Sequence, residues 1–267
     1  MLAFANAKIN LGLNLIEKRL DGYHNLETVF YPIKLNDVVE LVDSDETHCL
    51  IKGIAIPGDA NDNLCLKAFK ALQHEFNLPH QQLILLKNIP VGAGLGGGSS
   101  DAAFLIKLTN EKFKLGLSVA QMQNYARNLG ADCAFFIKNE PVFAFAKGDE
   151  FEELAISLAN HFLVLVKPPI HVSTALAYAD VKVKRPLTSL KKLIHLPLKD
   201  WRAHIFNDFE PSVFAKFPQI DEIKTKLYAA GATFALMSGS GSSVFAIFEK
   251  PVKLPELELE NSVFYNV

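Results

Sequence analysis

Five of the 15 glycines in this 267-residue chain fall within the seven residues 92–98, inside the run Pro90-Val-Gly-Ala-Gly-Leu-Gly-Gly-Gly-Ser-Ser-Asp101. Glycine is entropically costly to order. A cluster of this density therefore marks backbone that must take positive φ or approach another group closely. The apolar run Gln82–Lys87 before it reads as a short strand, and a helix is expected from near Ser99 to about Phe113. A glycine loop between a strand and a helix start presents bare N–H groups where the helix dipole is positive, which is the chemistry of a phosphate cradle. A flexible linker is the bland alternative. Linkers do not usually pass straight from an apolar strand into a helix with serine at its start.

Two familiar phosphate motifs fit this loop poorly. Gly92, Gly94 and Gly97 satisfy G-x-G-x-x-G. At least two strands and a helix precede them, however, and no acidic residue ends a second strand about 20 residues later. A dinucleotide-binding oxidoreductase is thus disfavoured. A Walker A loop would place lysine where this chain has Gly98, so any lysine assisting phosphoryl transfer must come from elsewhere. The His-Arg-Asp and Asp-Phe-Gly signatures of protein kinases are absent from the sequence.

Lys8 is the natural supplier. Ile9, Leu11, Leu13 and Leu15 alternate with Lys8, Asn10, Gly12 and Asn14, the period of a half-buried strand with Lys8 and Asn10 on the polar face. A solvated edge lysine would be the ordinary reading. Asp132 strengthens the functional one. It follows Gly130-Ala131 at an expected helix end and leads into the apolar Cys133-Ala-Phe-Phe136, and a carboxylate entering apolar surroundings needs a partner. Lys8 can be that partner; a purely structural buried pair is the alternative. The small-residue loop Ser238-Gly-Ser-Gly-Ser-Ser243 reads either as a long hairpin turn or as a second source of donors. Tyr23-His24, after the Asp21-Gly22 turn, offers rings suited to stacking a base.

Elsewhere the pattern predicts strands at Leu26–Ile33, Asp37–Val42, Pro141–Ala146, His161–Val166, Thr233–Met237 and Val244–Phe248. Helices are expected over Asp62–Phe76 and from a Ser118/Gln121 capping box to Gly130. Further helices should start near Ser173, Thr188 and Pro218. At about 150 residues per domain, one large or two small domains are expected. We place a boundary at about 155, giving 1–155 and 156–267. A net charge of −2 argues against a general polyanion binder such as a nucleic-acid protein. Cys49, Cys65 and Cys133 match neither a disulfide framework nor zinc-ligand spacing, and reduced thiols of a cytoplasmic protein are expected. No run reaches membrane-helix length, and the N-terminus lacks the basic and apolar regions of a signal peptide.

Pro90–Ser100 resembles the Pro-x-Gly-x-Gly-Leu-Gly-(Gly/Ser)-Ser-Ser loop of the galactokinase/homoserine kinase/mevalonate kinase/phosphomevalonate kinase (GHMP) superfamily. Ala7-Lys8-Ile9-Asn10-Leu11 and Arg19-Leu-Asp-Gly-Tyr-His24 resemble the branch that phosphorylates the 2-hydroxyl of 4-diphosphocytidyl-2-C-methyl-D-erythritol, in the non-mevalonate isoprenoid precursor pathway. Asp62-Asn63-Leu64, Leu129-Gly-Ala-Asp132 and Gly239-Ser-Gly241 follow in the family's order, so the resemblance spans nearly the whole chain.

The resemblance implies an α+β, two-domain fold: an N-terminal ribosomal-protein-like domain and a C-terminal ferredoxin-like domain, with the active site between them. It implies ATP and Mg²⁺ as cofactors and a small cytidyl substrate as partner, with no nucleic acid or membrane, and leaves monomer and homodimer both open. Lys8 and Asp132 fall on the catalytic pair, the latter as general base or orienter. Pro90, Val91, Gly92, Ala93, Gly94, Leu95, Gly96, Gly97, Gly98, Ser99 and Ser100 fall on the ATP phosphate loop, with Asn63 and Lys87 near the adenosine. Asn10, Tyr23 and His24 fall on the cytidine site, where Tyr178 would face the tyrosine across the base. The family commonly has Gly-Ala-Asp-(Val/Ile)-Pro, whereas this chain has Cys133-Ala134 after Asp132. The runner-up readings are a homoserine- or mevalonate-type GHMP kinase, or a nucleotide-binding module without catalysis. Tyr23, His24 and Tyr178 favour a flat base over the first, and the Lys8/Asp132 combination argues against the second.

Overall fold

A computed structural model describes residues 1–59, 62–181 and 183–267. The chain divides into two compact units. The first comprises Met1–Ala7, Leu35–Val91 and Gly96–Glu140, and the second Lys8–Lys34, Gly92–Leu95 and Pro141–Val267. Strands β1 (Leu2–Lys18) and β2 (His24–Asp43) contribute residues to both, and they pair with each other.

In the first unit the outer half of β2 pairs antiparallel with β4 (Gln81–Lys87), from Val38↔Leu86 to Asp43↔Gln81. A further strand, β3 (His48–Gly53), lies parallel to β4. Helix α1 (Leu64–Phe76) connects β3 to β4 and packs on α2 (Gly97–Lys112). Apolar residues at helical spacing (Cys65, Ala68, Phe69 and Leu72) are buried on one side of α1, as the sequence pattern requires. Helix α1 begins at Leu64, two residues later than Asp62, behind the N-cap Asn63, whose carboxamide accepts from the Cys65 N–H. Helix α3 (Val119–Arg127) carries the expected capping box between Ser118 and Gln121 but stops short of Gly130. A four-residue helix α4 (Phe135–Lys138) follows the Asp132 turn.

In the second unit the inner half of β2 pairs with β5 (Val142–Phe145) through Thr28↔Ala144, and β5 with β6 (Glu150–Glu153). A separate antiparallel sheet runs in the order β10-β7-β9-β8. Its members are β7 (Phe162–Lys167), β8 (Phe234–Met237), β9 (Val244–Phe248) and β10 (Ser262–Tyr265). Val164, Val166, Ala235, Met237, Val244 and Ala246 of this sheet share a core with Ile220, Ile223 and Leu227 of α9 (Pro218–Ala229). The remaining helices are short: α5 (Thr174–Ala179), α6 (Leu190–Leu193), α7 (Leu198–His204), α8 (Glu210–Lys216) and α10 (Pro255–Glu258). Ser173 caps α5 as expected, whereas α6 is capped by Ser189, one residue past Thr188.

Two sequence expectations need correction. The β1 segment is not half-buried: Lys8 and Asn10, on its polar face, are only 4% and 2% exposed. Alternation reports one apolar face correctly, but it cannot tell water from a buried polar network on the other. The segments Leu26–Ile33 and Asp37–Val42 are one strand, not two. Pro32 suggests a break, yet it lies between the stretch paired with β5 and the stretch paired with β4, away from both ladders. Strands β3, β6 and β10 carry too few buried apolar residues for their periodicity to register in the sequence.

Candidate functional site

The second unit gathers Lys8, Asn10, Gly92–Leu95 of the first glycine-rich loop and the second small-residue loop into one hydrogen-bonded group. The Lys8 ammonium donates to Asn10 Oδ1 at 2.6 Å and lies 4.7 Å from the centre of the Phe30 ring. Asn10 Nδ2 donates to Thr28 Oγ1 at 2.8 Å, and that hydroxyl donates on to the Gly12 carbonyl at 2.6 Å. The Asn10 N–H donates to Ser238 Oγ at 3.2 Å, and this hydroxyl donates to the Gly94 carbonyl at 2.9 Å. The Ser243 N–H also donates to the Ala93 carbonyl at 3.3 Å. Thus Ser238–Ser243 is the β8–β9 connection and, at the same time, a support for the first loop. Asn207 holds this support from below, donating to the Met237 and Gly239 carbonyls at 2.8 Å each.

The tightness of the joint explains the glycines. Gly94 has φ +77°, and a Cβ there would stand 1.9 Å from the Ser238 carbonyl oxygen. Gly92, at φ +62°, is covered by the His171 ring, 2.6 Å from where its Cβ would be. Both a left-handed backbone and a close approach therefore require glycine here. Gly98 differs: nothing lies within 4 Å of its Cβ position, so its surface is open.

In the first unit, Gly96 (φ +69°) turns the chain into α2, which begins at Gly97 without a side-chain cap. Uncapped N–H groups and the positive end of a four-turn helix together make a site for an anion. Ser100 adds a buried hydroxyl with no hydrogen-bond partner among the described residues, and Ser243 in the second loop has another. Buried polar groups are normally satisfied, so the unpaired Ser100 hydroxyl beside these N–H groups suits a ligand with acceptor oxygens. A triphosphate meets that description.

Lys87, at the end of β4, is 2% exposed, and its ammonium donates to Asp37 Oδ2 and, at 2.6 Å, to Asp101 Oδ2. Burial pushes the Asp101 carboxyl up from 3.8 to about 7, with Lys87 opposing and Asp37 adding to the rise. The nearby Cys49 and Cys65 thiols are pushed up by burial as well and stay neutral. Because Asp101 binds its proton more tightly folded than unfolded, its contribution to stability is lost as pH rises from about 4 to about 7 and then levels off. Urea unfolding across this range should show the wild type losing stability relative to Asp101→Asn. A pH-independent difference between the two would contradict this assignment.

The other expected site residues sit as follows. Asn63 caps α1. Asp132 is half-buried in the turn between α3 and α4. That turn is held by the Cys133 N–H donating to Gly130 O and the Phe136 N–H donating to Cys133 O. Ala134 takes φ −65°, the value a proline would impose, so the missing family proline leaves the backbone path intact. Tyr23 is 63% exposed, with the Lys147 ammonium 5.6 Å from its ring. His24 and Tyr178 pair at 5.0 Å between ring centres, and Tyr178 also meets Phe209 edge-on at 4.8 Å. Burial, then the Lys18 charge, lowers the His24 pKa, which keeps its imidazole neutral at pH 7. The sequence reading missed Thr28, Asp37 and Asn207. Asp37 carried a usable signal, since, like Asp132, it is a carboxylate at the start of an apolar run.

Comparison with known proteins is consistent with this geometry. Residues 63–140 match the family described as GHMP kinases N terminal domain, and residues 186–263 match GHMP kinases C terminal. A Bacteroides fragilis 4-diphosphocytidyl-2-C-methyl-D-erythritol kinase is 52% identical over 264 residues, covering 97% of this chain and 96% of the relative. The Parabacteroides distasonis protein of the same name is 49% identical, covering 99% and 97%. A crystal structure of 4-(cytidine 5'-diphospho)-2C-methyl-D-erythritol kinase superposes with a TM-score of 0.84 at 29% identity, covering 99% and 98%. A mevalonate kinase structure shares the fold at a TM-score of 0.70 and 16% identity, covering 99% and 98%. The expected α+β GHMP fold and kinase class are both present, and the chain belongs to the 4-diphosphocytidyl-2-C-methyl-D-erythritol kinase family of the GHMP kinases.

Proposed function

We propose that this protein transfers the γ-phosphoryl group of ATP to the tertiary 2-hydroxyl of 4-diphosphocytidyl-2-C-methyl-D-erythritol. The observation that carries the reading is the linkage through Asn10, which joins the Lys8 ammonium to Ser238 and so to the loop at Gly94. One buried asparagine thereby fixes the cation of the proposed reaction relative to part of the nucleotide loop. The backbone N–H groups of Val91–Ser100, the α2 dipole and the Ser100 hydroxyl receive the triphosphate.

Among the described residues no group of three His, Cys, Asp or Glu side chains could hold a metal ion. Mg²⁺, if bound with ATP as part of the co-substrate, would neutralise the charge that develops on the transferring phosphoryl group. Asp132 accepts the hydrogen bond of the 2-hydroxyl and takes its proton as the new P–O bond forms and the bond to ADP breaks. Lys8 offsets charge developing on the attacking oxygen. Phosphoryl transfer asks mainly for positioning and electrostatics, so a weak carboxylate base is sufficient. Tyr23, His24 and Tyr178 receive the cytosine; neutral imidazole can both donate and accept hydrogen bonds to its edge. Asn63 and Lys87 lie beside the adenosine, and the cytoplasm, where ATP is abundant, is the proposed compartment.

The test is coupled ADP release with the cytidyl alcohol, homoserine and mevalonate as acceptors. Turnover is expected with the cytidyl compound alone. Equal or faster turnover with homoserine or mevalonate would reject the cytidine assignment, and no ADP release with any acceptor would reject catalysis.

A further inference from the structure

Lys87, Asp37 and Asp101 are buried at 2%, 0% and 1% exposure, around a single ammonium. Even where Asp101 keeps its proton, a buried ammonium–carboxylate pair and a second acid are costly to take out of water. Apolar residues of similar volume would serve stability equally well or better, so the cluster calls for another explanation.

Its connections supply one. While Asp37 Oδ2 receives Lys87, its other oxygen, Oδ1, accepts the N–H groups of Asn88 at 2.5 Å and Ile89 at 2.8 Å. Those are the two residues immediately before Pro90, where the glycine loop starts. Asp101 lies in α2, directly after Ser100, where the loop ends. Lys87 therefore ties the chain entering the loop to the helix leaving it. Gly97 is packed onto the same cluster, since a Cβ there would stand 3.0 Å from Ile89 Cγ2 and 3.3 Å from the Lys87 ammonium.

We propose that Asp37, Lys87 and Asp101 form an ionic clasp that closes the base of the Pro90–Ser100 loop, with Asp37 as a positioning residue for ATP. The clasp holds the loop's two ends at a set separation, so the N–H groups at the start of α2 are aimed before the nucleotide arrives. Lys87 acts through its two carboxylates. The inference rests on the reading that this loop receives the phosphates of ATP.

Asp37→Asn is the informative variant. Its amide keeps the shape, but the NH₂ must face either the Lys87 ammonium or the two backbone N–H groups, a donor against donors in both cases. The Kd of ATP, measured by calorimetry without acceptor, is expected to rise at least tenfold, and the KM of ATP with it. The Kd of the cytidyl substrate and kcat at saturating ATP should stay within twofold of wild type, a split that general loss of structure does not produce. A folded variant that binds ATP within twofold of wild type would overturn the clasp. If the wild type itself binds no ATP, the nucleotide reading fails, and the clasp falls with it.

Should Asp37→Asn fail to fold, amide exchange of the wild type decides. Asn88 and Ile89 should be protected to the level of β4 without nucleotide, whereas exchange at the rate of open loop amides would overturn the proposal.

Discussion

Asp132→Ala is expected to lower turnover by at least two orders of magnitude while ATP binds with wild-type affinity. A positioned general base contributes about 10²–10⁴-fold, and alanine removes both the proton acceptor and the hydrogen bond that orients the hydroxyl. The nucleotide's proposed contacts lie elsewhere, on the glycine loop and the first turn of α2, so its affinity has no reason to change. Asp132→Asn separates the two roles: it keeps an oxygen that can orient the hydroxyl but cannot take the proton. If orientation dominates, Asn recovers much of the rate; if proton transfer dominates, Asn behaves like Ala. The check is kcat in the ADP-release assay beside calorimetric titration with ATP. Near-normal turnover in Asp132→Ala would remove this carboxylate from the mechanism.

The second large effect is structural in origin. Gly94→Ala puts a methyl group 1.9 Å from the Ser238 carbonyl oxygen, on a backbone at φ +77°. The left-handed conformation costs a side-chain residue roughly 1–2 kcal/mol, and forcing extra atoms into a packed site about 1–3 kcal/mol more. The neighbour is backbone, so it cannot rotate away, and the two loops must part at the Ser238–Gly94 and Ser243–Ala93 hydrogen bonds. A loss of about 2–5 kcal/mol is a large share of the roughly 5–15 kcal/mol available to a folded protein. The melting temperature should fall by about 10 °C, at about 2–4 °C per kcal/mol for a chain of this size.

Gly98→Ala is the matching control, because the space around that position is empty and its backbone is helical. Alanine there should leave the melting temperature unchanged or raise it, helix propensity favouring Ala by about 0.8–1.0 kcal/mol. Its methyl group would enter the open space where the phosphates are proposed to bind, so ATP affinity is expected to fall. Similar melting behaviour in the two variants would show that the clash at Gly94 is relieved by movement.

Much of the site could be read locally. The glycine density of 92–98, bounded by an apolar strand and a helix start, marked the strand–loop–helix turn into α2 without any knowledge of what packs on it. The Ser118–Gln121 box and the Ser173 cap are likewise local: a side chain bonds a backbone group three residues away, so sequence spacing alone specifies the contact. The apolar face of α1 follows from helical periodicity for the same reason.

Features whose partners are near in the chain are thus legible in the residues alone: the loop, the caps, the periodic faces and the motifs that mark the family. The tertiary structure alone decided which polar residues leave water. Lys8 and Asn10 look like one solvated face of a strand, and their burial follows from Thr28 and Ser238, 18 and 228 residues from Asn10. Lys87 looks like an ordinary strand-end lysine until Asp37, 50 residues earlier, and Asp101 enclose it. A buried polar group is tolerable only when distant partners satisfy it, and which partners arrive is a property of the fold, carried by no single stretch of chain.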